Sequence, residues 1–224
     1  YCAGNPVVFI DVEGKYIDIW YPNENGSPTK FRFDGTNGNK SPQNNFVKNV
    51  INAYNYDTDN GGGSNLKEAA TNNNLAINIA PEWTGNNTTD YYNIKENIIH
   101  WNPYKALSFG GDKLSISPAT ILEHEMAHAV AANKNLLDLK TRLGEKVAYY
   151  GNKEEQRVMQ GSERQTAIAN KEIKANQQRI DHSAGYLYPV SDPRNTKPNY
   201  GFNTTNQIVQ FFLTQNPSII VTYK

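Results

Sequence analysis

The chain has 224 residues, the length of one domain with room for a short flanking segment. Its 22 Lys+Arg balance 22 Asp+Glu, which argues against a nucleic-acid binder, an acidic tail or a polybasic membrane anchor. Three Trp, 14 Tyr and 8 Phe favour a globular fold with polar loops over disorder, although mean hydropathy is −0.71. No stretch approaches the ~18 uninterrupted apolar residues of a membrane-spanning helix. The single cysteine, Cys2, excludes a disulfide framework, a Cys-based zinc cluster and the P-C-x-x-C pair of zinc nucleobase deaminases.

Tyr1 is not a methionine and no signal-like segment follows it, so the chain is expected to be the C-terminal part of something longer. Residues 15–21 and 29–33 alternate apolar and polar around a turn-rich stretch, the pattern of a hairpin. Ser41-Pro42 is expected to cap a helix carrying Phe46, Val47, Val50, Ile51 and Tyr54 at helical spacing. A Gly/Asn loop over 57–64 precedes a second helix through 66–70. Residues 75–80 and 91–101 read as strands, and Ser117-Pro118 opens a helix running to about Ala132. A further helix begins near Lys153 and stops at Gly161. Ser162 with Gln165 then forms a capping box for one running to about Arg179. Residues 208–213 and 219–223 are expected to be a core element and a closing strand.

The chemistry is concentrated in residues 120–130, which contain His124-Glu125-x-x-His128. Residues four apart lie on one helix face, so both imidazoles can reach one ion. Two neutral imidazoles and a carboxylate leave an open Lewis-acidic position suited to zinc, one ion per chain. Glu125 is then the general base on a zinc-bound water and later delivers the proton to the leaving amine. Ile98 to Trp101, just upstream, is expected to be an edge strand along which a substrate lies as an added strand. A metzincin would need Gly and His where Ala131 and Lys134 stand, so that class is excluded. The third ligand is expected from a carboxylate on a later helix, with the Glu154-Glu155 stretch as the best candidate and Glu163 as the runner-up.

Several resemblances follow from these residues. The opening Tyr1 to Gly14, with Asn5-Pro6-Val7, Asp11 and Gly14, resembles the closing signature of the RHS-repeat core, after which a variable effector domain follows. Glu154-Glu155-x-Arg157 after H-E-x-x-H resembles the clostridial neurotoxin light chains. That resemblance implies Glu155 as the zinc ligand and Glu154 as its supporter. Together with Trp101-Asn102-Pro103, Ser117-Pro118 and Glu163 with a later arginine, the stretch 94–188 resembles the M91 peptidases, which include secreted effectors and RHS-borne toxin domains. Where relatives tend to show Glu-Asn, this chain has Glu163-Arg164. The Arg-x-x-Tyr that would steady the oxyanion appears as Arg179-x-x-His182, with Tyr186 and Tyr188 beyond, so His182 and Tyr186 are the expected catalytic partners.

The expectation is therefore an α+β, zincin-like metallopeptidase with a small sheet packed on an active-site helix. Residues 1–14 end an RHS-core-like segment and 15–224 form the zinc metallopeptidase domain. It acts on a protein or peptide in a recipient cell, reached by secretion or delivery, with a cognate immunity protein as a further partner. No nucleic acid and no membrane segment are expected. The alternatives are a zinc-binding interaction module without turnover, against which the intact Glu125 weighs, and a nuclease-type toxin, against which the charge balance weighs.

Overall fold

The computed structural model describes residues 15–82, 90–111 and 113–199. Strand β1 (Lys15–Pro22) alternates along its length, and its inward residues Ile17 and Ile19 are wholly buried. Asn23 closes the following turn by accepting from the Asn25 and Ser27 amides, which returns the chain as β2 (Pro28–Phe33) in antiparallel register. The expected hairpin is therefore present. The first helix, α1 (Asn45–Asp59), starts later than the sequence suggested. Its cap is Asn44, whose side chain accepts from the Phe46 and Val47 amides, and Ser41 instead ends a short 3-10 turn over Asn37–Lys40. The turn residue with two backbone bonds outcompetes the Ser-Pro pair.

Helix α2 (Ser64–Thr71) leads into β3 (Leu75–Pro81), which lies parallel to β1. The expected strand over 91–101 is instead a hairpin of β4 (Tyr91–Asn93) and β5 (Ile98–Trp101). Asn93 accepts from the Lys95 and Glu96 amides, and Asn97 turns at φ 54°, so the chain reverses. The sheet runs β2-β1-β3-β5-β4. Ile98–Trp101 is thus an interior strand, and the edge expected there is β4.

Helix α3 (Pro118–Lys134) carries the H-E-x-x-H motif. Ser117 caps it as expected, accepting from the Thr120 amide at 3.2 Å. The wholly buried Trp101 donates its indole N–H to the Pro118 carbonyl at 2.9 Å and ties β5 to the start of this helix. Leu122, Met126, Ala129 and Val130 enter the core shared with the five-stranded sheet and α1–α2. Ile121 enters a second core beneath a three-stranded sheet, β7-β6-β8, formed by β6 (Lys105–Phe109), β7 (Leu114–Ile116) and β8 (Tyr186–Pro189). With cores on both sides, α3 is apolar or buried around most of its circumference. The alanines allow that close approach. Its Glu123 is wholly buried and accepts from the Asn65 and Leu66 amides, supplying the cap that α2 lacks.

Helices α4 (Leu136–Gly144) and α5 (Lys153–Val158) follow. The expected capping box at Ser162 does not form. A π-turn over Met159–Glu163, kinked at Gly161, leads directly into α6 (Arg164–Ala169), whose entry residue Glu163 has helical φ/ψ. The helix ends at Ala169 and not near Arg179, because Asn170 terminates it and Lys171 turns at φ 60°. The elements expected at 208–213 and 219–223 lie outside the described residues, as does the segment 1–14. No helix of the described residues is long and apolar enough to cross a membrane.

Behind α3, Glu172 accepts from the Ser117 amide and the Thr120 hydroxyl, while its other carboxylate oxygen is buried without a partner. Burial pushes this group up to about 7, against those bonds. A folded carboxyl that holds its proton more tightly than the unfolded one stabilises fully at low pH and loses that contribution as pH rises through about 7. Glu172→Gln is therefore expected to melt close to the wild type at pH ~4 and several degrees above it at pH ~8. Thermal melts across that range check this, and a difference that stays constant with pH contradicts it.

Candidate metal centre

Helical geometry places His124 and His128 one turn apart on the same face of α3, with Nε2 atoms 3.1 Å apart. Each ring is fixed from behind. His124 Nδ1 lies 2.7 Å from Glu163 Oε2, and His128 Nδ1 lies 3.0 Å from Glu154 Oε1. A carboxylate on Nδ1 places a proton there, so in the neutral ring each Nε2 turns its lone pair toward the other. Glu155 closes the group from α5, at 3.2 Å from His124 Nε2 and 3.5 Å from His128 Nε2. Its Oε2 is buried and makes no hydrogen bond.

Donor atoms around a tetrahedral ion with bonds of about 2.0–2.1 Å stand about 3.3–3.4 Å apart. His124 Nε2 stands 3.1 Å from His128 Nε2 and 3.2 Å from Glu155 Oε2, near that value, while His128 Nε2 stands 3.5 Å from the other oxygen, Oε1. The donor set of two imidazoles and a carboxylate, with an orphaned buried oxygen aimed at the centre, fits a cation such as zinc.

The electrostatics carry the same demand for positive charge. Burial disfavours a charged His124, but Glu155 and Glu163 outweigh it and lift the ring to about 10. Burial also opposes charge on His128, and Glu154 and Glu155 raise it nonetheless. Burial would raise Glu163, yet Arg179 and His124 hold it down at about 2. Glu155 is held far below the usual carboxylate range by the two imidazoles, despite burial.

Glu125 is buried on the same helix and accepts from the Tyr92 backbone N–H of edge strand β4. Burial pushes its carboxyl up, against the pull of both imidazoles. Glu125, His124, His128 and Glu155 line a cleft of about 640 Å³, a size suited to part of a peptide. Its walls include Tyr91 and Tyr92 of β4, Leu139 and Leu143 of α4, and residues 182–187.

Of the other expected site residues, His182 lies beside the cluster, its Nε2 3.2 Å from Glu155 Oε2. Tyr186 is half-exposed on the cleft wall. Tyr188 is buried, with its hydroxyl donated to the Thr196 carbonyl at 2.6 Å. Arg179 is buried against Glu163 and sits behind His124. Glu163 therefore stands on the far side of the ring from the donor cluster. Gly185, at φ 144°, permits the wall itself, because a Cβ there would meet the Ser108 carbonyl oxygen at 2.5 Å.

The sequence left three contributors unmarked. Asp90 caps the end of β5 through the Asn102 amide at 2.7 Å and reaches the cleft wall. The Tyr92 amide holds Glu125. Arg142 of α4 donates to the wholly buried Glu154 at 2.5 Å, beside Arg157, which also bonds the Ala127 carbonyl. Only the Asp138–Arg142 spacing hinted at that role, and such pairs are ordinary on helices.

A family model described as M91 peptidase, effector protein, matches residues 36–185. The chain belongs to that family. The match begins well upstream of the 94–188 stretch on which the resemblance rests and takes in α1, α2 and β3 as well as the donor cluster. No curated protein and no solved structure matches the chain.

Arg142→Ala is expected to lower the stability measured by urea unfolding by about 1–3 kcal/mol, because buried Glu154 loses one of its two guanidinium partners. A change below about 0.5 kcal/mol would show that Arg157 alone suffices.

Proposed function

We propose that this member of the peptidase effector family is a zinc-dependent endopeptidase. In this reading it hydrolyses peptide bonds of a protein in the cell that receives it. The observation that carries the proposal is the convergence of His124 Nε2, His128 Nε2 and Glu155 at 3.1 to 3.5 Å, with Glu125 in the same buried cleft. His124, His128 and Glu155 hold the zinc, while Glu163 and Glu154 fix the two rings. When bound, zinc polarises a carbonyl and makes water acidic enough to attack at neutral pH.

The rest is the work of the chain. Glu125 takes the proton of the attacking water at its carboxylate, kept ready by a raised affinity for protons. It then carries that proton to the leaving amine. The Tyr92 amide keeps Glu125 turned toward the cleft, and β4 as the sheet edge offers backbone groups to an extended substrate. Tyr186, on the opening of the cleft, is the hydroxyl we assign to the developing oxyanion. Delivery as the C-terminal part of an RHS-repeat protein, with an immunity protein in the producing cell, suits the opening signature and the effector family.

Glu125→Gln is expected to keep the fold and zinc content while lowering kcat on a protein substrate by at least ~10²–10⁴-fold. Circular dichroism, metal analysis and single-turnover cleavage decide this together. Activity within a few-fold of wild type removes Glu125 from the mechanism.

A further inference from the structure

His182 belongs to a segment that the fold holds at its backbone and leaves free at its side chain. Its amide donates to the Tyr149 carbonyl at 3.0 Å, and its own carbonyl faces the Arg179 guanidinium at 3.5 Å. The residues that follow, 182–186, are exposed, and the turn is closed locally by Asp181, which accepts from the Ser183 and Ala184 amides. The ring nevertheless points inward. His182 Nε2 lies 3.2 Å from Glu155 Oε2, the same distance as His124 Nε2 from that oxygen.

Neither contact has the alignment of a hydrogen bond. Two imidazole nitrogens therefore stand at the same short distance from one buried carboxylate oxygen. That is how ligands sit around a common centre, at the ~3.3 Å edge of a tetrahedron. A donor atom each from His124, Glu155 and His182 falls within a mutual distance of 4.8 Å.

We propose that His182 is a fourth protein ligand of the ion held by His124, His128 and Glu155 in the substrate-free protein, and that it yields its position when a peptide enters. The inference rests on the zinc-peptidase reading above. Four protein ligands make a closed site, whereas turnover needs an open position. His182 is the member suited to leave. Its side chain is 45% exposed, against 4%, 10% and 15% for His124, His128 and Glu155. It also lines the cleft at the place where a substrate would pass. The ligand is lost and regained by rotation of one side chain, with no change in the backbone bonds that anchor residue 182. Substrate-free protein would then protect its metal from adventitious water and small chelators.

The test uses the whole chain with isotope-labelled histidine, loaded with an NMR-active cadmium isotope in place of zinc. Through-bond coupling from the metal should appear on three imidazole nitrogens, those of His124, His128 and His182. Adding a peptide substrate to the Glu125→Gln protein should abolish the His182 coupling alone. In parallel, His182→Ala should release zinc to a chelator at least about tenfold faster than wild type. Coupling confined to His124 and His128, with unchanged zinc release in His182→Ala, overturns the fourth ligand and leaves the peptidase reading standing. A protein that binds neither metal overturns both.

Discussion

Two imidazole Nε2 atoms facing each other across 3.1 Å in a buried space, each ring held from behind by a carboxylate, form the constraint on which the rest of the site depends. With a proton on neither, two Nε2 atoms at that separation repel, and burial strengthens the repulsion, so the pair favours taking up a proton or a cation. The structure does not relieve this by turning a ring. It holds each in place from Nδ1, with Glu163 braced by Arg179 and Glu154 braced by Arg142 and Arg157. The carboxylates of Glu154, Glu155 and Glu163 make positive charge between the rings favourable.

The fold can be understood as the means of holding that arrangement. The donor residues come from α3 and α5, and their supports come from α4, α5, the π-turn and the segment after α6. α3 is fixed at its start by the Trp101 indole, at its centre by two cores, and at Glu123 by the cap it lends to α2. Packing on both sides of the helix sets the ring positions, whereas the cleft wall at residues 182–186 is exposed.

The helix that carries the site was legible in the sequence because its signals are local. Ser117-Pro118 caps it, and the four-residue spacing of His124 and His128 fixes a common face. The place of Glu155 was legible only through resemblance, since nothing in its own neighbourhood distinguishes it from Glu154. The two differ by which side of the histidine pair they meet, a property of how α5 docks on α3. Arg142, Asp90 and the Tyr92 amide were not legible, because each acts across a gap in the chain through a single bond. The misread elements have a similar origin. Asn44 and Asn93 captured backbone amides that the stronger-looking Ser41-Pro42 cap and the continuous 91–101 run seemed to own. At Gly161 a π-turn carried the helix past the expected break. Sheet β7-β6-β8 joins strands about eighty residues apart, beyond the reach of any local pattern.

Metal analysis of purified protein decides whether one ion sits between His124, His128 and Glu155. Wild type is expected to hold about one equivalent of zinc and Glu155→Ala to lose it. Glu163→Ala, which removes only the support behind His124, is expected to bind zinc more weakly yet still bind it. Zinc retained in full by Glu155→Ala but lost by Glu163→Ala would contradict the assignment, and a wild-type protein without affinity for zinc would contradict the whole account.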